Sequence, residues 1–472
     1  MKGDGPAPAG PSSFLDWGRV LLPAPVFAHG LVGRADLPIP KAVFAAAAAA
    51  VLVVSFVALA SLWSAARLQE PRERRLVRLP LVVDAVLGLA GVVAFAAVVY
   101  AGLAGTESVL DNLAPNAVFV ILWVGVPFAS LLFGDVFRLL SPWRAIGRAV
   151  GWVVARVAPA EPLTYPERLG RWPAAAGIFA FGVCELCWSG GREPQTLAIL
   201  ALVYLVVSFV GMSLYGVEPW TRNADPFGVY FGLFASLAPL TRRDGVLYAR
   251  LPVTGAVGLD PVPGTVALLL CAIGITAFDG GSEGPLFNSV APDLQDLFKS
   301  LGAGTSRALE LTFGLGLVVT IALIAAIYWG AIAGMGRRGL RRPLSRVELG
   351  RSLAHTLVPI AAAYVVAHYF SLVAYNGQDI WRLASDPLGD GSDLFGGADA
   401  GIDYSVVSAT AIWYVQVGAL VTGHVAALVL GHDRALALYE DPRAATRSQI
   451  VMLVLMVCFT CLGLYLLSAS NS

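Results

Sequence analysis

The chain has 472 residues, of which 57% are hydrophobic and 14% are charged, and its formal net charge is zero. A soluble domain carries about 25% charged residues. This deficit of charge, together with a mean hydropathy of +0.72, excludes a large water-soluble core. Zero net charge also excludes the broad basic field that attracts nucleic acid. Apolar runs of about 18 residues or more predict instead an all-α, polytopic helical protein surrounded by membrane lipids.

The first 40 residues differ from the rest in composition. Residues 1–13 are rich in Gly, Pro and Ser, and the short apolar run GRVLLPAPVFA precedes His29, which is a weak secretory-signal pattern. Cleavage after Ala28 would make His29 the amino terminus, where the amine and the ring nitrogen can chelate a metal. We therefore expect a leader and exported tail over residues 1–40 and a single transmembrane domain over residues 41–472.

Ten apolar segments are long enough to predict transmembrane helices. They cover residues 41–66, 79–102, 115–139, 171–189, 194–216, 263–278, 306–334, 354–378, 404–430 and 449–468. Residues 226–240 are also apolar, but they are short for a span and have basic residues on both sides. We expect them to form a re-entrant or interfacial segment, which is tolerated where protein buries it. The basic, Trp-containing stretch after residue 140 is typical of a helix on the membrane surface.

Arginine placement predicts the orientation. Short loops rich in Lys and Arg stay cytoplasmic, and two such loops are RLQEPRERRLVR at 67–78 and GRRGLRRPLSR at 336–346. The loops after the spans ending near 278 and 378 are acidic. With ten spans, the basic loops fall inside and the acidic loops outside, so both termini are predicted outside. The expected location is the plasma membrane.

Four ionisable residues are expected at one depth near the cytoplasmic boundary. At about 1.5 Å per helical residue, they lie roughly 6–12 Å from the inner ends of their spans. This inner set comprises Asp84, Asp135, His355 and His424. Two carboxylates and two imidazoles at one level can bind a divalent metal as catalytic ligands, relay protons, or form a structural hydrogen-bond network.

A second set of the same residue types is expected toward the outer side. This outer set comprises Glu185, His368, Asp279 and Glu283, with His29 of the tail nearby. It is a second candidate for a metal site, although Asp279 and Glu283 are predicted to be solvated loop residues. His432 is expected to face water at the inner boundary. The chain contains no P-loop, dinucleotide fingerprint or GxSxG motif.

Several stretches resemble one family. They are AHGLVGRADLPIP at 28–40, FRLLSPWRAIGR at 137–148, ADPFGVYFGLFASLAPL at 224–240, AHTLVPIAAAYVVAHYFSL at 354–372 and WYVQVGALVTGHVAALVLGHDRAL at 413–436. In these stretches the chain is similar to the bacterial, largely actinobacterial, membrane proteins called fenitrothion hydrolases. The resemblance implies a phosphotriester hydrolase that takes a small apolar substrate. It assigns no catalytic residues.

Three classes of function remain open from the sequence. The first is a membrane hydrolase in which a metal-activated water attacks phosphorus at the inner set. The second is a transporter or permease for a small solute or metal ion, with the same residues as a relay and residues 226–240 as a gate. The third is a non-catalytic membrane subunit whose polar residues serve packing, with a protein partner that the sequence does not identify.

Overall fold

A computed structural model describes residues 41–157, 161–337 and 339–469. The predicted leader, and with it His29, lies outside the described residues.

Helices account for most of the described chain. In order they are α1 (Lys41–Leu62), α2 (Leu81–Ala104), α3 (Leu113–Pro115), α4 (Val126–Phe133), α5 (Val136–Leu140), α6 (Pro142–Val157), α7 (Trp172–Leu186), α8 (Pro194–Tyr215), α9 (Val217–Asn223), α10 (Pro226–Ala235), α11 (Thr265–Ser282), α12 (Pro285–Ser300), α13 (Thr305–Gly334), α14 (Arg346–Leu353), α15 (Leu357–Tyr375), α16 (Ile380–Ser385), α17 (Ala409–Leu438), α18 (Pro442–Ser448) and α19 (Ile450–Ala469). A π-helical segment, Asn116–Gly125, joins α3 to α4, and short 3₁₀ turns occupy Thr254–Gly258 and Ala354–Thr356.

The predicted class of fold is confirmed. Within the described ranges, nine helices are long and apolar enough to cross a membrane. They coincide with nine of the ten predicted spans. The remaining span, predicted at 171–189, is the shorter apolar helix α7 of 15 residues. The protein is therefore an all-α, polytopic helical membrane protein.

A small three-stranded sheet was not predicted. Its strands are β1 (Glu73–Arg78), β2 (Leu240–Arg243) and β3 (Val246–Arg250), in the order β1-β3-β2. Asp244 and Gly245 both have positive φ, 49° and 78°, as the two-residue turn of a tight hairpin requires. Strand β1 comes from the first arginine-rich loop and pairs antiparallel with β3. The sheet therefore joins two basic segments that are far apart in sequence.

The sheet shows how residues 226–240 are threaded. Helix α10 has only 10 residues, about 15 Å at 1.5 Å per residue, which is half of the hydrocarbon thickness. Shortly before it, Glu218 pairs with Arg138 and Arg144. Directly after it, the hairpin pairs with β1. Both ends of α10 thus lie on the side that carries the arginine-rich loops, as expected for a re-entrant segment.

Contacts between loops show which loops lie at the same end of the helix bundle. At the end with the sheet, called here the basic side, Leu340 forms a bridge with Tyr439, and Arg434 donates to the Val257 carbonyl at 2.7 Å. At the opposite end, the acidic side, the guanidinium of Arg382 lies 3.3 Å from the carboxylate of Asp111. These contacts agree with spans that alternate in direction along the chain.

Candidate functional site: a buried acid–histidine cluster

The outer set contains a direct acid–histidine pair. His368 Nε2 lies 2.9 Å from Asp279 Oδ2, and the hydroxyl of Tyr369 donates to the same oxygen at 2.9 Å. All three residues are buried. An ionised Asp279 accepts both hydrogen bonds, which places the imidazole proton on Nε2. The pair therefore has the chemistry of an oriented imidazole held by a carboxylate.

Helices α11 and α15 bring this pair together. Asp279 lies in the last turn of α11, so the expectation of a solvated loop residue was wrong for Asp279, which is 7% exposed. Gly280 follows it, and a Cβ there would lie 3.2 Å from His368 Cε1 and 3.3 Å from Nδ1. The missing side chain lets the imidazole pack directly against α11.

Glu185 is the second buried carboxylate of the cluster. It lies in the last turn of α7, is 5% exposed, and its charge interacts with those of Asp279 and Arg192. Its Oε2 atom is buried without a hydrogen-bond partner among the described residues. An unsatisfied buried carboxylate oxygen is costly in free energy, so Glu185 is placed to accept a proton or a polar ligand.

Glu283 completes the acidic side of the cluster. It caps the end of α11 and is half-buried. Burial raises the pKa of Glu283, and the neighbouring charge of Asp279 raises it further, while His368 opposes both. The ionised carboxyl groups of Glu185 and Glu283 each repel that of Asp279. Glu283 therefore holds its proton to a higher pH than an isolated glutamate does.

The re-entrant helix also reaches this cluster. Tyr230 of α10 is completely buried, its hydroxyl has no hydrogen-bond partner among the described residues, and its electrostatic surroundings include Glu185. The indole of Trp123 stacks on Tyr230 with ring centroids 5.2 Å apart. The basic side is thus connected to the acid–histidine cluster through α10.

The inner set is not assembled into one centre. Within the described ranges, neither the inner set nor the outer set forms a group of three or more His, Cys, Asp or Glu side chains that could hold a metal. Asp84 instead forms a two-pronged ion pair with Arg242 of β2, with an Nη2–Oδ2 distance of 2.9 Å. Asp135 caps α5, where its Oδ1 accepts from the Arg138 amide at 3.1 Å. These two carboxylates therefore hold local structure on the basic side.

The two histidines of the inner set have separate surroundings. His355 lies in a 3₁₀ turn, is 3% exposed, and its Nε2 has no partner among the described residues. His424 is 1% exposed, and its Nδ1 lies 2.8 Å from the Leu420 carbonyl oxygen. His424 also lines an apolar cavity of about 80 Å³ with Tyr364. The imidazole of His424 thus borders a space suited to an apolar group.

Sequence reasoning was wrong about His432 and overlooked Asp433. His432 is 1% exposed rather than facing water, and its Nε2 lies 3.0 Å from the Trp63 carbonyl oxygen. Asp433 accepts from Trp63 Nε1 at 3.1 Å and from Gln69 Nε2 at 2.6 Å, as well as from two backbone amides. Two adjacent polar residues, His432 and Asp433, near the end of a predicted span were the sequence feature that could have indicated a buried site. The donors come from a loop about 370 residues earlier, which no local pattern indicates.

The chain was compared with protein-family models, with curated proteins and with solved structures, and nothing matches in any of the three.

Proposed function

We propose that the protein is a proton-coupled membrane transporter for a small solute, located in the cell membrane. The observation that carries the proposal is the buried cluster in which Asp279 binds His368 and Tyr369 and interacts with Glu185. Ionisable residues at membrane depth are costly and are typical of ion pathways and proton relays. A re-entrant helix next to such residues is typical of a transport pathway.

The cluster supports a relay with a defined order of groups. Glu283 is half-buried at the end of α11 and exchanges protons with water on the acidic side. Asp279 and His368 share the next hydrogen bond, at 2.9 Å. Glu185 then provides a carboxylate oxygen that lacks a partner among the described residues. A proton that moves along these groups changes the charge beside Tyr230 of α10, so protonation can be coupled to movement of the re-entrant helix.

Transport is tested with purified protein in proteoliposomes that contain a pH-sensitive dye. Zn²⁺, Mn²⁺ and benzoate are the probes, and solute uptake is measured with and without a pH gradient. We expect gradient-dependent uptake of one probe class, reduced at least about tenfold in Asp279→Asn and His368→Gln, since each removes one relay group. Asp399→Asn, at an exposed position, serves as the matched control. Absence of flux for all three probes would count against this function.

A second candidate is the phosphotriester hydrolase that the family resemblance implies. The specific observation in its favour is the same Asp279–His368 pair, because a carboxylate that orients an imidazole is a common general-base arrangement. The alternative metal-activated mechanism would need Asp84, Asp135, His355 and His424 as ligands of one divalent metal, and the described residues do not bring these four together. The two mechanisms make different predictions for the two sets of histidines.

The hydrolase is tested by turnover of fenitrothion and paraoxon by purified protein, with chelator and with metal restored. Loss of activity in His368→Gln but not in His424→Ala would favour the acid–histidine pair. Loss in His424→Ala together with inhibition by chelator would favour the metal centre. No turnover in any of these conditions would remove the hydrolase.

A further inference from the structure

A polar cavity on the basic side shares no lining residue with the acid–histidine cluster, and a ligand site there does not depend on the proposed transport function. It has a volume of about 150 Å³ and lies among α5, α6, α9 and α10. Its walls contain four arginines and two carboxylates, with hydroxyl groups from Ser141 and Thr221. The arginines are Arg138, Arg144, Arg171 and Arg222, and the carboxylates are Asp135 and Asp225.

The two carboxylates accept hydrogen bonds from neighbouring side chains and backbone amides. Asp225 accepts from Trp143 Nε1 at 2.7 Å, from the Gly228 amide at 3.0 Å, and from the hydroxyl of Tyr204. Asp135 accepts from the Arg138 amide. These hydrogen bonds hold the loops before α5 and α10 in place. They also occupy acceptor positions on both carboxylates. Glu218 pairs with Arg138 and Arg144, whereas Arg171 and Arg222 have no carboxylate within ion-pair distance among the described residues.

Two of the arginines have unused donors. Arg144 is 9% exposed, and it donates to Glu218 at 2.6 Å and to the Arg138 carbonyl at 3.0 Å. Arg171 donates to Thr265 Oγ1 at 3.1 Å. The Nε atoms of both are buried without a partner among the described residues. Burial also lowers the pKa of the Arg144 guanidinium. An anion in the cavity would accept hydrogen bonds from these Nε–H groups and would stabilise the buried positive charges.

We propose that this cavity binds a phosphate group through its arginine side chains. Guanidinium groups match the geometry of phosphate oxygens and form paired, charge-assisted hydrogen bonds with them. Arg222 is exposed, so the cavity can be reached from the aqueous phase. The neighbouring helix α6 carries the exposed side chain of Trp152, which is typical of a helix at the lipid surface. The phosphate can therefore come from free phosphate or from a lipid headgroup.

Titration with two different ligands distinguishes free phosphate from a lipid headgroup. Inorganic phosphate is titrated into detergent-solubilised protein by calorimetry, with sodium chloride at equal ionic strength as the reference. Short-chain phosphatidic acid, which carries a phosphate monoester headgroup, is titrated in the same way. Binding of inorganic phosphate would identify free phosphate as sufficient. Binding of phosphatidic acid alone would identify a lipid headgroup. Either result supports the phosphate site. If neither ligand binds, the proposal is overturned.

Three variants test the location of the site. Arg171→Gln is expected to weaken binding about ten- to a hundredfold, since hydrogen bonds to charged groups are the stronger ones. Arg171→Lys, which keeps the charge but loses the paired geometry, should recover part of this loss. Arg222→Gln is at an exposed position, so it should fold normally and still weaken binding.

The matched control is Arg156→Gln, on the same surface helix as Arg144, exposed and outside the cavity. Its affinity should stay within about twofold of the unmodified protein, since distant surface charges are screened. Thermal unfolding of each variant confirms that it is folded. Equal affinity in Arg171→Gln, Arg222→Gln and the unmodified protein would overturn the proposed location. Equal weakening by Arg156→Gln would overturn it too, because it indicates diffuse attraction.

Discussion

At the scale of single residues, Glu218 links two helices of the basic side. Its carboxylate oxygens lie 2.6 Å from the guanidinium groups of Arg138 and Arg144. Burial disfavours the charged form, but the two arginines outweigh it and hold the pKa of Glu218 below its ordinary value of 4.5. The ion pairs therefore stabilise the folded state as long as Glu218 is ionised.

This pKa gives a stability prediction that depends on pH. A carboxyl whose pKa is lowered on folding contributes stability above its unfolded pKa, and the contribution is lost as pH falls through the folded pKa. Glu218→Gln should therefore lower the melting temperature at pH 7, and the difference should shrink below about pH 4.5. The side chain is 43% exposed, so we expect a cost of about 1 kcal/mol or less.

The measurement is thermal unfolding of both proteins between pH 3.5 and 7.5 in one detergent. Asp296→Asn serves as the control, because Asp296 pairs with Lys299 while its side chain is 76% exposed. A gap between Glu218→Gln and the unmodified protein that stays constant over the whole pH range would contradict the role assigned to these ion pairs.

The acid–histidine pair shows how much of a site can be predicted from the sequence. The sequence predicts His368 and Asp279 toward the outer side, with Asp279 in the loop after its span, and the structure brings the two into contact. Depth along a helix can be counted from the sequence. The ion pair of Asp84 could not be predicted from depth, because its partner Arg242 lies 158 residues away on a hairpin. Depth indicates which groups share a level, and tertiary contacts decide which of them meet.

At the scale of elements, α15 and α17 approach closely through glycine. Gly423 of α17 faces α15, and a Cβ there would lie 2.4 Å from Ala363 Cβ and 2.6 Å from the Pro359 carbonyl oxygen. Small residues at such crossings let helix backbones pack closely in membranes, where van der Waals contact drives association. The neighbouring His424 is buried by this packing.

Gly423→Ala should therefore destabilise the protein, by about 1–3 kcal/mol, because the two helices must separate to admit the methyl group. The matched control is Gly418→Ala on the same helix, where nothing lies within 4 Å of the added Cβ. That change should be neutral or stabilising by up to about 1 kcal/mol, from helix propensity. Thermal unfolding of both variants in one detergent is the measurement, and equal effects would refute the crossing contact.

At the scale of the whole molecule, hydrophobic length and arginine placement predicted most of the architecture. Apolar runs gave the spans, because water-free surroundings require continuous helices. Basic residues on both sides of residues 226–240 gave the re-entrant segment. The sheet between β1 and β3 was not predicted, because its strands are short and lie in loops between spans. Such pairing depends on helix packing that brings distant loops together, which local periodicity does not contain.

The sheet gives a prediction about sidedness. In a variant whose five native cysteines are replaced, Arg75→Cys in β1 and Asp244→Cys in the hairpin turn should react with an impermeant maleimide from the same side. Asp399→Cys, on the acidic side, should react from the other side. All three positions are exposed. Because arginine-rich loops stay cytoplasmic, the first two should be labelled in inverted vesicles and the third in intact cells.

The possible outcomes separate the fold from its orientation. If Arg75→Cys and Asp244→Cys are labelled from opposite sides, α10 crosses the membrane and the sheet cannot form. If both are labelled from outside and Asp399→Cys from inside, the fold stands but the whole molecule is inverted. In that case the acid–histidine cluster would open toward the cytoplasm, and the arginine-lined cavity would take phosphate from the external medium.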